Sequence, residues 1–143
     1  MIFIAAAGNN GPKGAAVYPA AYPEVIAVTA TDDKDRLYVK ANRGDYISIA
    51  APGVDIIAPA LKGGYELSSG TSMAAAHVSG VVALLLERDG TLDWSKARDI
   101  LSASARKPDG SSKEDAFGAG ILDAAGALGE PAGAAGEKIG TGR

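Results

Sequence analysis

The apolar positions of this chain fall into two regimes. Up to residue 68 they form short runs between turn signals, the signature of strands. Ile2–Ala7 is continuously apolar and closes at Gly8-Asn9-Asn10-Gly11-Pro12, which predicts a fully buried strand. Val25–Ala30 is a second β-rich run, ending at Thr31-Asp32-Asp33-Lys34-Asp35. Leu37–Val39 and Tyr46–Ala50 predict shorter strands, the latter stopped by Pro52-Gly53; Val54–Ile57 and Tyr65–Ser68 complete the set.

From residue 72 onward the spacing is helical. Ser72 to about Arg88 is the longest predicted helix, closed by Asp89-Gly90. Its first half is lined with Ala74, Ala75, Ala76, Ser79 and Gly80. A mid-helix glycine costs about 1 kcal/mol relative to alanine, so Gly80 predicts a close backbone approach. Asp93 or Thr91 can cap a second helix carrying Ala97, Ile100, Leu101 and Ser104, and a third is predicted from about Ile121 to Leu128. Strands followed by helices give an α/β domain over residues 1–129. Residues 130–143 lack periodicity and read as a flexible Gly/Ala-rich tail.

Composition narrows the chemistry. The 143 residues suffice for one domain with a real core. Net charge is −3, and no basic patch interleaves with aromatics, so neither nucleic acid nor an acidic membrane surface is an expected partner. Cysteine is absent, which removes disulfides, thiolate zinc sites and a cysteine nucleophile. The run Met73–Leu86 falls short of the roughly 20 residues that span a bilayer and predicts a core helix instead. Ile2–Ala7 lacks the basic flank of a secretory signal. Asp32, Asp33 and Asp35 do not have the spacing of an EF-hand and read as a solvated turn. No cofactor is implied by these residues; any calcium would belong to a larger protein.

One string carries chemistry. Gly70-Thr71-Ser72-Met73-Ala74-Ala75-Ala76-His77-Val78-Ser79-Gly80 sets a serine at the start of the long helix, where free N–H groups and the helix dipole favour developing negative charge. A Thr-Ser pair before an apolar run is also ordinary capping chemistry. The full string, however, resembles the nucleophile motif of the subtilisin-like serine proteases (subtilases). Ala6-Ala7-Gly8-Asn9, about sixty residues earlier, is similar to that family's oxyanion segment. Val17–Val28, Ala50–Ile56 and Phe117–Ala125 match further family segments in the same order, so the resemblance runs from about residue 2 to 128.

The resemblance implies a subtilisin-like three-layer fold with a mostly parallel sheet, of which this is the C-terminal portion. It implies serine endopeptidase chemistry on a protein or peptide substrate, with Ser72 as nucleophile and the Asn9 side chain in the oxyanion hole. Losing such a donor costs roughly 2.7–4 kcal/mol, a magnitude that comes from subtilisin itself. Ala6, Ala7, Gly8 and Ala20 take substrate-binding positions, and a cis Tyr18–Pro19 bond is implied beside the specificity pocket. The family's common glycine is here Ala20, whose methyl should narrow the pocket floor. Ala75 and Ala76 stand where serine and proline are frequent.

Serine needs a base, and the base needs an orienting acid. His77 is the chain's only histidine, five residues after Ser72. On a helix that offset is about 7.5 Å along the axis and roughly 140° around it, so His77 cannot reach the hydroxyl and is expected to serve helix packing. The family's Asp and His motifs precede its oxyanion strand, and neither Asp-Thr-Gly nor His-Gly-Thr occurs here. The chain alone is therefore expected to be inactive, with the N-terminal half of the catalytic domain as its expected partner. The alternative is a non-catalytic interaction module or the complementing piece of a split protease. The family is commonly secreted or extracytoplasmic.

Overall fold

The computed structural model describes residues 1–108 and 116–129. The predicted tail, 130–143, lies outside the described residues. The element order is β1 (Phe3–Ala6), β2 (Val25–Thr31), β3 (Ile49–Pro52), β4 (Ile56–Pro59), β5 (Tyr65–Ser68), α1 (Thr71–Arg88), α2 (Trp94–Ser104) and α3 (Ala124–Ala127). The fold is mixed α/β, as the sequence predicts.

β1, β2 and β3 form a parallel sheet in that order, with Phe3 opposite Val25 and Val28 opposite Ile49. The central β2 is buried along its whole length, consistent with its unbroken Val/Ile/Ala/Thr run. Ile26, Val28 and Ala30 on one face of β2 join Ile49 and Ala51 of β3 in the core. Over them lie Ala74, Val78, Val81, Val82 and Leu85 of α1, with Ala97 and Leu101 of α2. The buried α1 residues recur at helical spacing, which fixes the rotation of the helix on the sheet.

Several local expectations change. β1 is not fully buried: it has only β2 beside it among the described residues, and Phe3 is exposed. Leu37 makes a single antiparallel bridge to Thr31 rather than a strand. The Tyr46–Ala50 and Val54–Ile57 runs shift to Ile49–Pro52 and Ile56–Pro59, because β3 takes its register from β2. Ile121 is bridged to Ala50 and Arg106, so the third helix starts later, capped by the Asp123 carboxylate on the Gly126 N–H at 2.9 Å. In α2 the predicted cap is Asp93, accepting from the Lys96 N–H at 2.9 Å. β4 and β5 form a separate antiparallel hairpin leading directly into α1.

The N-terminus of α1 is set by a close approach. Gly53, just after β3, accepts through its carbonyl from the Gly70 N–H at 2.7 Å. A Cβ on Gly53 would stand 2.7 Å from Ala30 Cβ and 2.8 Å from the Gly70 oxygen. Only glycine lets the end of β3 and the start of α1 meet this closely.

Candidate active site

The C-terminal end of β1 and the N-terminal end of α1 converge. Ser72 lies in the first turn of α1 with its side chain exposed. The residue before the helix, Gly70, has no side chain to cap it, and the cap comes from across the sheet instead. Asn9 Oδ1 accepts from the Thr71 N–H at 3.0 Å and from the Thr71 hydroxyl at 3.1 Å. The Gly8 N–H donates to Thr71 Oγ1 at 3.2 Å. One threonine thus ties the loop after β1 to the helix start, satisfying a terminal N–H that would otherwise be unpaired.

These bonds fix which way the Asn9 amide faces. Its oxygen is taken twice, so its NH2 group is the end left to donate, and it has no acceptor among the described residues. The Ser72 N–H likewise has no acceptor among them, while the Met73 N–H turns back to Gly70 at 3.1 Å. A side-chain amide and a main-chain N–H therefore stand open at the positive end of a helix, beside an exposed hydroxyl. That arrangement suits an anionic tetrahedral centre.

Of the other predicted positions, Ala6 ends β1, Ala7 is buried, and Gly8 turns the chain with φ +104°. Ala7 donates to the Val28 carbonyl at 2.9 Å, and its own carbonyl accepts from the Tyr46 hydroxyl at 2.7 Å. Burial holds the Tyr46 phenol above its ordinary value, with the Asn42 side chain pulling the other way. The Tyr18–Pro19 bond is cis, and Ala20 is buried in the turn that follows. That turn is closed by its own Ala21 N–H to Val17 carbonyl bond at 2.9 Å.

His77 is not brought to Ser72. Its Nδ1 lies 2.9 Å from the Met73 carbonyl, one helical turn back, and the residue is exposed. The expectation that it serves helix packing is corrected as well, because it sits on the face of α1 turned away from the sheet. The acidic turn is occupied internally. Asp32 accepts from the Lys34 and Arg36 N–H groups at 2.9 Å each, and Asp35 pairs with Arg106. Among the described residues no group of three acidic or histidine side chains could hold a metal, and no helix is long and apolar enough to cross a membrane.

Two residues at the site escape sequence reasoning. Thr71 reads from sequence as part of the helix start, and Asn42 carries no local signal at all. Both act through contacts between segments far apart in the chain, which no periodicity reports.

A parallel α/β sheet with a serine at the start of its long covering helix and an asparagine amide across from it defines a class: folds that present a hydroxyl beside open N–H donors. The model of the subtilase family of peptidases matches residues 1–120, and the chain belongs to that family. It is 48% identical over 84 residues to a thermophilic serine proteinase of Bacillus sp. (strain AK1), covering 59% of this chain and 21% of that one. It is 33% identical over 122 residues to the minor extracellular protease Epr of Bacillus subtilis (strain 168), covering 85% of this chain and 19% of Epr. Among solved structures, the prenylagaramide maturation protease PagA superposes with a TM-score of 0.79 at 36% identity, covering 90% of this chain and 50% of that one. The chain thus spans half or less of the length of each of these proteins.

Proposed function

We propose that this chain is the nucleophile-bearing part of a serine endopeptidase. Ser72 Oγ attacks the peptide carbonyl, and the carbonyl oxygen becomes an oxyanion held by the Asn9 NH2 group and the Ser72 N–H. The serine proton passes to a histidine oriented by an aspartate, and the same histidine returns it to the leaving amine. That histidine lies on polypeptide other than the described residues, since His77 is turned away, and the same polypeptide is the expected source of the aspartate. Ala6 and Gly8, which keep part of their surface open, line the substrate side, with Ala7 and Ala20 buried behind them. The observation that carries this reading is the pair of bonds from Thr71 to Asn9 Oδ1, which points the amide's donor end outward beside Ser72.

The surface supports a partner for the missing half of the chemistry. β1 has a free edge among the described residues. The outward face of α1 presents a shallow apolar strip of Ala76, His77, Gly80 and Leu84. A free parallel edge and an apolar helix face are features that another segment normally covers. We take that segment to be the rest of a subtilase catalytic domain. The name of the relative Epr supports an extracellular setting for the assembled protein.

A serine-directed fluorophosphonate tests both halves. The chain alone should resist labelling, and the assembly with the base-carrying polypeptide should be labelled stoichiometrically at Ser72. Rapid labelling of the isolated chain would refute its dependence on that partner, and labelling elsewhere in the assembly would refute Ser72 as nucleophile.

A further inference from the structure

The geometry points to Asn42 as the positioning residue of the oxyanion loop, acting on the reaction through Asn9. This inference rests on the reading of Asn9 given above. Asn9 needs placing by something other than itself: its main-chain N–H and carbonyl have no hydrogen-bond partner among the described residues. Thr71 fixes the amide's orientation but not the backbone that carries it.

Asn42 supplies that hold from both sides. Its main-chain N–H donates to the Gly8 carbonyl at 2.9 Å, and its Oδ1 accepts from the Asn10 N–H at 2.8 Å. Its Nδ2 donates to the Ala15 carbonyl at 2.9 Å. The residues immediately before and after Asn9 are therefore bonded to one side chain and its backbone. Asn42 is fully buried, at 0% exposure, so its own amide has no water to turn to if Asn10 or Ala15 moves away, and an unpaired buried amide is costly.

The packing agrees with the bonding. A Cβ on Gly8 would lie 2.6 Å from Asn42 Nδ2, and one on Gly14 would lie 2.6 Å from Asn42 Oδ1. Two glycines let the loop close around this amide, which a bulkier residue at either place would prevent. A side chain with an acceptor and a donor at its two ends is required, because Asn10 offers an N–H and Ala15 a carbonyl. Leucine has the volume and neither group; aspartate has the acceptor alone.

The consequence is kinetic. An oxyanion donor acts only if held close to the position the oxyanion will take, and displacements on the order of 1 Å can cost up to about a hundredfold. Asn42 should therefore matter to kcat through Asn9 and to little else in the reaction.

The test is a double-mutant cycle on a chromogenic peptide substrate, using the assembled protease with this chain as its nucleophile-bearing part. Asn9→Ala should lower kcat by roughly a hundredfold or more. Asn42→Ala should lower kcat by about tenfold with KM little changed, and should cost nothing further in the Asn9→Ala background. An equal kcat loss in both backgrounds, a loss confined to KM, or no loss would overturn the role of Asn42 while leaving Asn9 in place. An unchanged kcat in Asn9→Ala would overturn the oxyanion reading and this inference with it. Should Asn42→Ala fail to fold, Asn42→Asp keeps the volume and the acceptor for Asn10 while losing the donor to Ala15. Its kcat deficit should be present with Asn9 and absent without it, and a deficit equal in both backgrounds would again overturn the role.

Discussion

The two faces of α1 contrast sharply. The inward face carries Thr71, Ala74, Val78, Val81, Val82 and Leu85, all buried against the sheet. The outward face carries Ala76, His77, Gly80, Ala83 and Leu84, all exposed, and no charged side chain appears on the helix before Glu87. A helix on the surface of a finished domain normally shows water a charged face, whereas one apolar all round belongs inside a core. The outward face of α1 therefore shows water more apolar surface than a solvated helix normally does. This is the physical ground for proposing that further polypeptide packs on it.

Leu84 and Leu85 make the comparison testable, because they are adjacent and chemically identical but differ in exposure, 50% against 6%. Leu85→Ala should produce the largest effect, destabilising the chain by about 2–5 kcal/mol through lost burial and the cavity left behind. Denaturant melts would show it. A cost below about 1 kcal/mol would mean that the inward face is not the core it resembles.

The next largest effect concerns the end of the helix that bears Ser72. Gly53→Ala would force a methyl against Ala30 Cβ and the Gly70 carbonyl, both closer than real Cβ contacts allow. Relief requires the start of α1 to move off the sheet, at a cost of about 1–3 kcal/mol. The variant should melt earlier, and in the assembled protease fluorophosphonate should label it more slowly. A wild-type melt with wild-type labelling would show that the helix start tolerates displacement.

Much of this was legible in sequence, for a reason visible in particular residues. The β2 run and the apolar face of α1 are continuous patterns, so periodicity locates them to within a residue or two. Ser72 and Asn9 stand in a recognisable string and order. What failed to show depends on neighbours rather than local pattern. Phe3 looks buried until β1 proves to have one partner strand among the described residues, and Ile121 looks helical until its bridges to Ala50 and Arg106 are seen. Asn42 sits in Ala41-Asn42-Arg43-Gly44, a stretch with no periodicity, yet it bonds to residues 32 and 27 positions away.

Gly80 sharpens the contrast by reversing its sign. Its presence in a helix interior predicts close packing, but a Cβ there would meet nothing within 4 Å. Among the described residues the glycine is simply a weak helix former on an open face. Gly80→Ala should therefore stabilise the isolated chain by about 1 kcal/mol, seen as a higher melting temperature. In the assembly the same methyl should weaken association if another segment packs closely at this point. A variant that destabilises the isolated chain would place a contact on this face that the fold does not show.

The smallest effect on the chain is the most informative about the outward face. Leu84→Ala removes a half-exposed side chain from the apolar strip and should change the stability of the isolated chain by no more than about 0.5 kcal/mol. If the strip is a docking surface, the same substitution removes buried apolar area from the interface, and each buried CH2 is worth about 0.8 kcal/mol. Titration of the base-carrying polypeptide against wild-type and Leu84→Ala chains separates the two terms, because the melt reads only the first. A variant with an unchanged melt and at least tenfold weaker assembly would establish the outward face as the covered one. Equal affinities would move the partner off α1 and leave the β1 edge to carry the association.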